Sequence, residues 1–177
     1  MPDRTDEKTP DESDPAPPLL CHSPDEETAF APSELVAAVR RTRGMEKQDV
    51  PDVCVLDFDG DLTDKLVRRE AVRENEHWPC FHTRMWLWPA DDPLCGIVPR
   101  TIGGPYAVLV AEQMAVCGAE AVVGLASAGR LDRGLPLPAV VVADEAIRDE
   151  GTSYHYAPPG RTIAGNPELA RELEAAV

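Results

Sequence analysis

The sequence predicts an α/β domain with a largely covered sheet. Short apolar runs recur at residues 53–58 (VCVLDF), 121–125 (AVVGL) and 139–142 (AVVV), the pattern of strands buried on both faces. Stretches of helical period separate them, and glycine or proline punctuates most boundaries. Strands alternating with helices in this way point to an α/β layer structure.

The elements follow in order. Pro32, Ser33 and Glu34 open a first helix, with Ser33 as its expected cap, Leu35, Val36 and Val39 as its apolar stripe, and Arg40, Arg41 and Arg43 favourable near its end; Gly44 stops it. Residues 53–58 form a buried strand that runs through acids and Gly60 into a helix over 62–72. Residues 77–88 carry all three tryptophans and lead through Pro89 and Pro93 to Gly96, Ile97 and Val98, which predicts two strands joined by a turn. Gly103, Gly104 and Pro105 precede a helix over 106–117 that ends at Gly118, and residues 121–125 follow as a strand. Ser127, Ala128 and Gly129 make a small-residue turn before a further strand at 139–142. An irregular stretch, 148–161, leads to Asn166 and Pro167, which start a last helix over 168–176. No internal repeat is visible.

Charge is concentrated at one end. The chain has 177 residues and a formal net charge of -15, and residues 1–27 hold nine acids against Arg4 and Lys8. This segment is rich in proline and poor in apolar residues, so it is expected to be a disordered acidic tail over 1–28, followed by one domain over 29–177. An acidic surface repels phosphate backbones and anionic headgroups, which excludes nucleic acid and membrane as partners. The start of the chain does not read as a signal peptide, and the apolar stretch 106–128 is broken by Glu112, Gln113 and Glu120, so a soluble cytoplasmic protein is expected.

Cys21, Cys54, Cys80, Cys95 and Cys117 form no CxxC pair and read as reduced structural thiols. His77, Cys80 and His82 form a short ligand-type cluster, but three such residues without a second cluster weigh towards ordinary packing, and no metal is expected. The positions suited to chemistry are small residues at strand ends, where backbone N–H groups approach a ligand closely. Gly103, Gly104, Ser127, Ala128 and Gly129 fit that role; the plain alternative is tight turns needed for chain reversal.

The order TIGGP, helix, ASAGRL, apolar strand and AIRDEGTSYHY resembles the purine and uridine nucleoside phosphorylase superfamily over roughly residues 53–177. The SAG turn is similar to that of methylthioadenosine nucleosidases, and AIRDEGTSYHY is similar to the uridine phosphorylase branch. The resemblance implies a three-layer fold with a mixed central sheet, incomplete at its C-terminal end, and cleavage of an N-glycosidic bond with phosphate or water as acceptor. It implies that Gly103, Gly104, Ser127, Ala128 and Gly129 surround a nucleoside or N-ribosyl compound, with Ser127 at the phosphate-contacting hydroxyl. Inorganic phosphate is then a co-substrate and no other cofactor is implied. Two arginine positions of phosphorylases are occupied by Leu62 and Gly124, and Met114 does not stand where the superfamily places its ribose-binding methionine. A buried dianion without arginine partners is costly, which favours water. No catalytic residue is assigned; Asp149 and Glu150 beside Arg148 read as solvated partners, and Tyr154, His155 and Tyr156 as residues able to reach a neighbouring subunit.

Two further readings stand beside this one. VCVLDFDGD also resembles the first motif of haloacid dehalogenase-type phosphatases, which would make Asp57 a nucleophile and Asp59 an acid/base with magnesium; an acidic turn capping the next helix is the simpler account. The other is a catalytically inactive, truncated homologue that binds a nucleoside or associates with copies of itself or a full-length relative.

Overall fold

The computed structural model describes residues 18–21, 23 and 25–177, so most of the expected acidic tail lies outside the described residues. Two compact units are present, one spanning Thr28–Ala139 and the other combining the described residues before Thr28 with Val140–Val177.

The larger unit is an α/β structure built on a five-stranded mixed sheet. Its strands are β1 (Val53–Asp57), β2 (Arg73–Glu74), β3 (Trp86–Trp88), β4 (Cys95–Pro99) and β5 (Ala121–Leu125), ordered β2-β3-β4-β1-β5. Strands β4, β1 and β5 are parallel, while β3 runs antiparallel to β4 and β2 antiparallel to β3. The helices are α1 (Pro32–Arg43), α2 (Asp61–Arg68) and α3 (Gly104–Val116). Burial explains the arrangement: Val36 of α1, Val110 and Met114 of α3, Cys54 and Leu56 of β1, Val98 of β4 and Met85 ahead of β3 share one hydrophobic cluster. Each is a side chain whose removal from water contributes roughly 1.5–3 kcal/mol. Trp78 and Cys80 join the cluster from the tryptophan-rich segment, and the Trp78 indole N–H is satisfied by Thr83 Oγ1 at 2.7 Å. The Cys54 thiol, with no exposed surface, has its pKa pushed up to about 12 by burial, as a structural cysteine should.

Several expectations shift in detail. Ser33 does not cap α1; the Glu34 carboxylate reaches back to accept from the Ala31 N–H at 3.1 Å, and Gly44 ends the helix in the left-handed region at φ 63°. Helix α2 ends at Arg68 rather than Val72, because residues 73–74 are drawn into the sheet edge beside β3. Residues 77–85 are not strand, and the tryptophan-rich stretch pairs only from Trp86 onward.

The smaller unit differs in kind. Residues 139–142 do not form the expected strand: Val140 and Val141 are exposed, and pairing begins later, between β6 (Glu145–Ile147) and β7 (Thr162–Ala164). Apolar residues without a partner strand have no ladder to join. Asn166 then caps α4 (Pro167–Ala176), accepting from the N–H groups of Glu168 and Leu169 at 2.9 and 3.1 Å. Among this unit's described residues only Arg148 is buried. Its guanidinium donates to Ser153 Oγ at 2.9 Å, to the Pro158 carbonyl at 2.5 Å and to the Ala157 carbonyl at 3.1 Å, and lies 4.3 Å over the Tyr154 ring. The carboxylates of Asp149 and Glu150 are exposed, and that of Glu150 also has a local partner. Glu150 accepts from the hydroxyl and N–H of Ser153, which hold it below the usual carboxylate range. A charged donor gathering carbonyls thus replaces an apolar core in residues 148–161. Arg148→Ala is expected to destabilise this unit by roughly 2 kcal/mol, since the carbonyls lose a charge-assisted donor. Amide hydrogen exchange will show it as loss of protection confined to residues 145–164, with α1 and α3 unchanged.

Candidate functional site

Three parallel strands end side by side. Asp57, the last residue of β1, is in register with Pro99 of β4 on one side and Leu125 of β5 on the other. The loops leaving these ends therefore share one edge of the sheet, the place where open α/β sheets hold ligands. The β4 loop carries Thr101, Gly103 and Gly104 into α3, the β1 loop carries Phe58, Asp59 and Gly60 into α2, and the β5 loop carries Ser127, Ala128 and Gly129. All five expected ligand-contact residues are thus on the same edge, flanking the β1 loop, and all five are exposed.

Asp57 organises this edge. It is 2% exposed, and its carboxylate accepts from Gly60 N–H at 3.2 Å, Thr63 N–H at 2.8 Å and Thr63 Oγ1 at 2.8 Å. Its own carbonyl accepts from the Arg100 N–H at 2.8 Å. Helix α2 is therefore capped by a carboxylate three residues ahead of its N-cap, and Gly60 takes the left-handed turn at φ 84° that lets the chain fold back under it. A side chain at Gly60 would also meet the Arg100 side chain at 3.0 Å.

Arg100 is the cation of the crevice, and it was missed in the sequence because it lies outside the glycine turn. Its backbone sits at φ 60°, and its guanidinium bonds Asp64 Oδ2 at 2.6 Å. The pairing holds the Asp64 carboxyl below its usual range and raises the guanidinium further. Both side chains are about half exposed, so the pair orients the loop more than it stabilises the fold. Asp59 crosses from the β1 loop to the β5 loop, where its Oδ2 accepts from the Ser127 N–H at 2.5 Å. That N–H, then the Ser127 hydroxyl, hold the Asp59 carboxyl below its usual range. Beneath them Gly124 leaves room for Phe58, whose ring would stand 2.9 Å from an added Cβ. An arginine at position 124 would collide with that ring, so its absence here is built into the packing.

Other candidates lie apart. The cavity beside the tryptophan-rich segment, about 540 Å³, is lined by Arg43, Glu74, Trp78, His82 and Arg84 among others, and none of the strand-end residues contributes to it. Within it Arg84 pairs with Glu74 at 3.4 Å and Arg43 is held by the Cys80 carbonyl, whereas the strand-end edge is where the parallel strands converge. Cys80 of that segment is buried, and its carbonyl is held by Arg43 at 2.8 Å. Among the described residues no group of three or more histidine, cysteine or acidic side chains is arranged to hold a metal, and no helix is long and apolar enough to cross a membrane. Met114 is fully buried in α3, far from any ligand role.

With the fold and the crevice established, comparison with known proteins places the chain in a class. The profile of the phosphorylase superfamily matches residues 52–177, and the chain belongs to that superfamily. The phosphatase reading falls with it: the Asp57 carboxylate is committed to three donors of its own loop and is not presented as a nucleophile. A uridine phosphorylase of Thermococcus kodakarensis is 34% identical over 55 residues, which cover 31% of this chain and 20% of that relative. The alignment therefore spans about a fifth of the relative's length. No solved structure gives a significant match.

The central role of Asp57 is open to a direct test. Asp57→Ala is expected to cost about 2–3 kcal/mol by leaving the α2 donors uncapped, and Gly60→Ala about 1–2 kcal/mol from the left-handed backbone alone. Urea unfolding will measure both.

Proposed function

We propose that the strand-end crevice binds a nucleoside or related N-ribosyl compound and that the chain acts on its N-glycosidic bond. The observation that carries this reading is the convergence of the Gly103–Gly104 turn and the Ser127–Gly129 turn on either side of the β1 loop, in a chain of the phosphorylase superfamily. The likeness to a uridine phosphorylase supports a nucleoside as the ligand. In the reaction the bond from C1′ to the base nitrogen breaks, the base leaves with a proton, and an oxygen of phosphate or water bonds to C1′. Gly103 and Gly104 let the backbone approach the ligand, and Ser127 offers its hydroxyl oxygen, its N–H being held by Asp59.

Release of free base from a panel of nucleosides, with and without phosphate, tests the proposal. Release that falls at least about tenfold in Ser127→Ala is the expected outcome, by analogy with loss of one positioned donor. Absence of release from folded protein across the panel would remove the enzymatic reading.

A second reading, association rather than catalysis, is favoured by β5. It has β1 as its single partner strand among the described residues, and its Gly124 and Leu125 are exposed. An edge strand of this kind pairs readily with another chain. Light scattering is expected to give a mass above that of one 19.2 kDa chain, and a lysine at the exposed Leu125 is expected to shift that mass to the monomer. A monomer at all concentrations would dismiss association through this edge.

A further inference from the structure

The Ser127 amide already holds an anion, and the anion belongs to the protein. We propose that Asp59 is a specificity-determining residue of the crevice, a built-in carboxylate that fills the oxyanion seat at Ser127 and excludes inorganic phosphate and phosphorylated ligands. The inference rests on the reading of the crevice as a nucleoside site and selects, within it, uncharged nucleosides as ligands and water as acceptor.

The argument starts from the donors. Ser127 N–H donates to Asp59 Oδ2, with 2.5 Å between nitrogen and oxygen, so the amide is already engaged by a carboxylate. A phosphate oxygen seated on the same N–H would have to displace that carboxylate or share its position with like charge. One cation that might compensate is already paired. Arg100 is engaged by Asp64 at 2.6 Å, and Leu62 and Gly124 bring no charge to the β1 and β5 ends. Gly124 cannot be exchanged for a long side chain without moving the Phe58 ring. Asp59 and Asp61 add negative charge to the same loop, and Asp57 beneath them accepts from three donors of its own turn. A dianion entering this edge therefore meets carboxylates that hold the Ser127 amide and the Arg100 guanidinium. Water and a neutral ribose meet no such opposition, and an Asp59 carboxylate accepting from Ser127 keeps a second oxygen for a hydroxyl or water. Hydrolysis then balances simply: water contributes its oxygen to C1′, and the base departs carrying a proton.

The test uses the full chain and inorganic phosphate as the probe. Isothermal titration of phosphate into wild type, Asp59→Asn and Asp61→Asn is compared. Asp59 is exposed, so its replacement leaves the fold intact, and Asp61→Asn removes the same unit of charge one residue beyond Gly60 without touching Ser127. The expected result is phosphate binding at least about tenfold tighter in Asp59→Asn than in wild type, with Asp61→Asn near wild type. Equal affinity in wild type and Asp59→Asn overturns the proposal, as does an equal gain in Asp61→Asn, which would reduce the effect to net charge. Base release is read in parallel. A wild-type rate indifferent to phosphate, becoming phosphate-responsive in Asp59→Asn, supports the proposal, and a wild-type rate that requires phosphate overturns it. If neither protein releases base, the nucleoside-cleaving reading fails by itself, and the binding comparison still decides the role of Asp59.

Discussion

The Asp57 carboxylate is the contact on which the candidate site depends. It lies at the end of the central parallel strand, between β4 and β5, and is nearly excluded from solvent, so each of its oxygens has to be matched by a donor. The donors come from the turn it heads, Gly60 and Thr63, and this fixes where α2 begins and how the β1 loop leaves the sheet. Through its carbonyl the same residue holds the backbone of Arg100 on the β4 loop. Phe58, one residue on, donates its N–H to the Leu125 carbonyl at 2.9 Å and so ties the loop to β5. Three loops are thereby registered by one short segment, and a change there propagates to both flanking turns.

The crevice that results is governed by carboxylates. Asp57 caps, Asp59 bridges to Ser127 and Asp64 holds Arg100, so each acid that is placed by a hydrogen bond consumes a donor that a ligand would otherwise use. Such contacts contribute little to stability where they are exposed, and their depressed carboxyl pKa values keep them formed near neutral pH. The sign follows directly: whatever Asp59 and Asp64 contribute is present above the ordinary carboxylate range and is lost as pH falls through their lowered values. Their larger effect is on the donors of the edge, since each carboxylate placed there occupies one.

The two units illustrate different ways of ordering a chain. In the larger one, aliphatic and sulfur-bearing side chains from α1, α3 and the sheet exclude water together. In the smaller one the buried group is a guanidinium that gathers carbonyls and a hydroxyl under an aromatic ring. Arg148 suits this because its planar set of donors can serve several acceptors at once. Stability held in this way is local and directional, in contrast to the broad burial of the α/β unit.

Much of the fold was legible in the sequence. The β1 and β5 runs, the helix after Gly103 and Gly104, the stop at Gly118 and the Asn166 cap are all dictated by local apolar pattern and turn chemistry, which act within a few residues of chain. The family resemblance was legible for the same reason, since its motifs sit in those turns. Residues 139–142 show the limit: an apolar run becomes a strand only when a neighbour offers its hydrogen bonds, and among the described residues none does. The roles of Asp57, Asp59, Arg100 and Gly124 were equally out of reach. Asp59 and Ser127 are 68 residues apart, and Arg100 and Asp64 are 36 apart. Only the parallel register of β4, β1 and β5 brings these pairs within bonding distance, and that register is a property of the assembled sheet. The sequence by itself determined β1, β5, the helix after Gly103 and Gly104 and the Asn166 cap, because those choices are made by neighbours in the chain. Tertiary structure decided which donors at the crevice remain available to a ligand, because that depends on charges that meet only after folding.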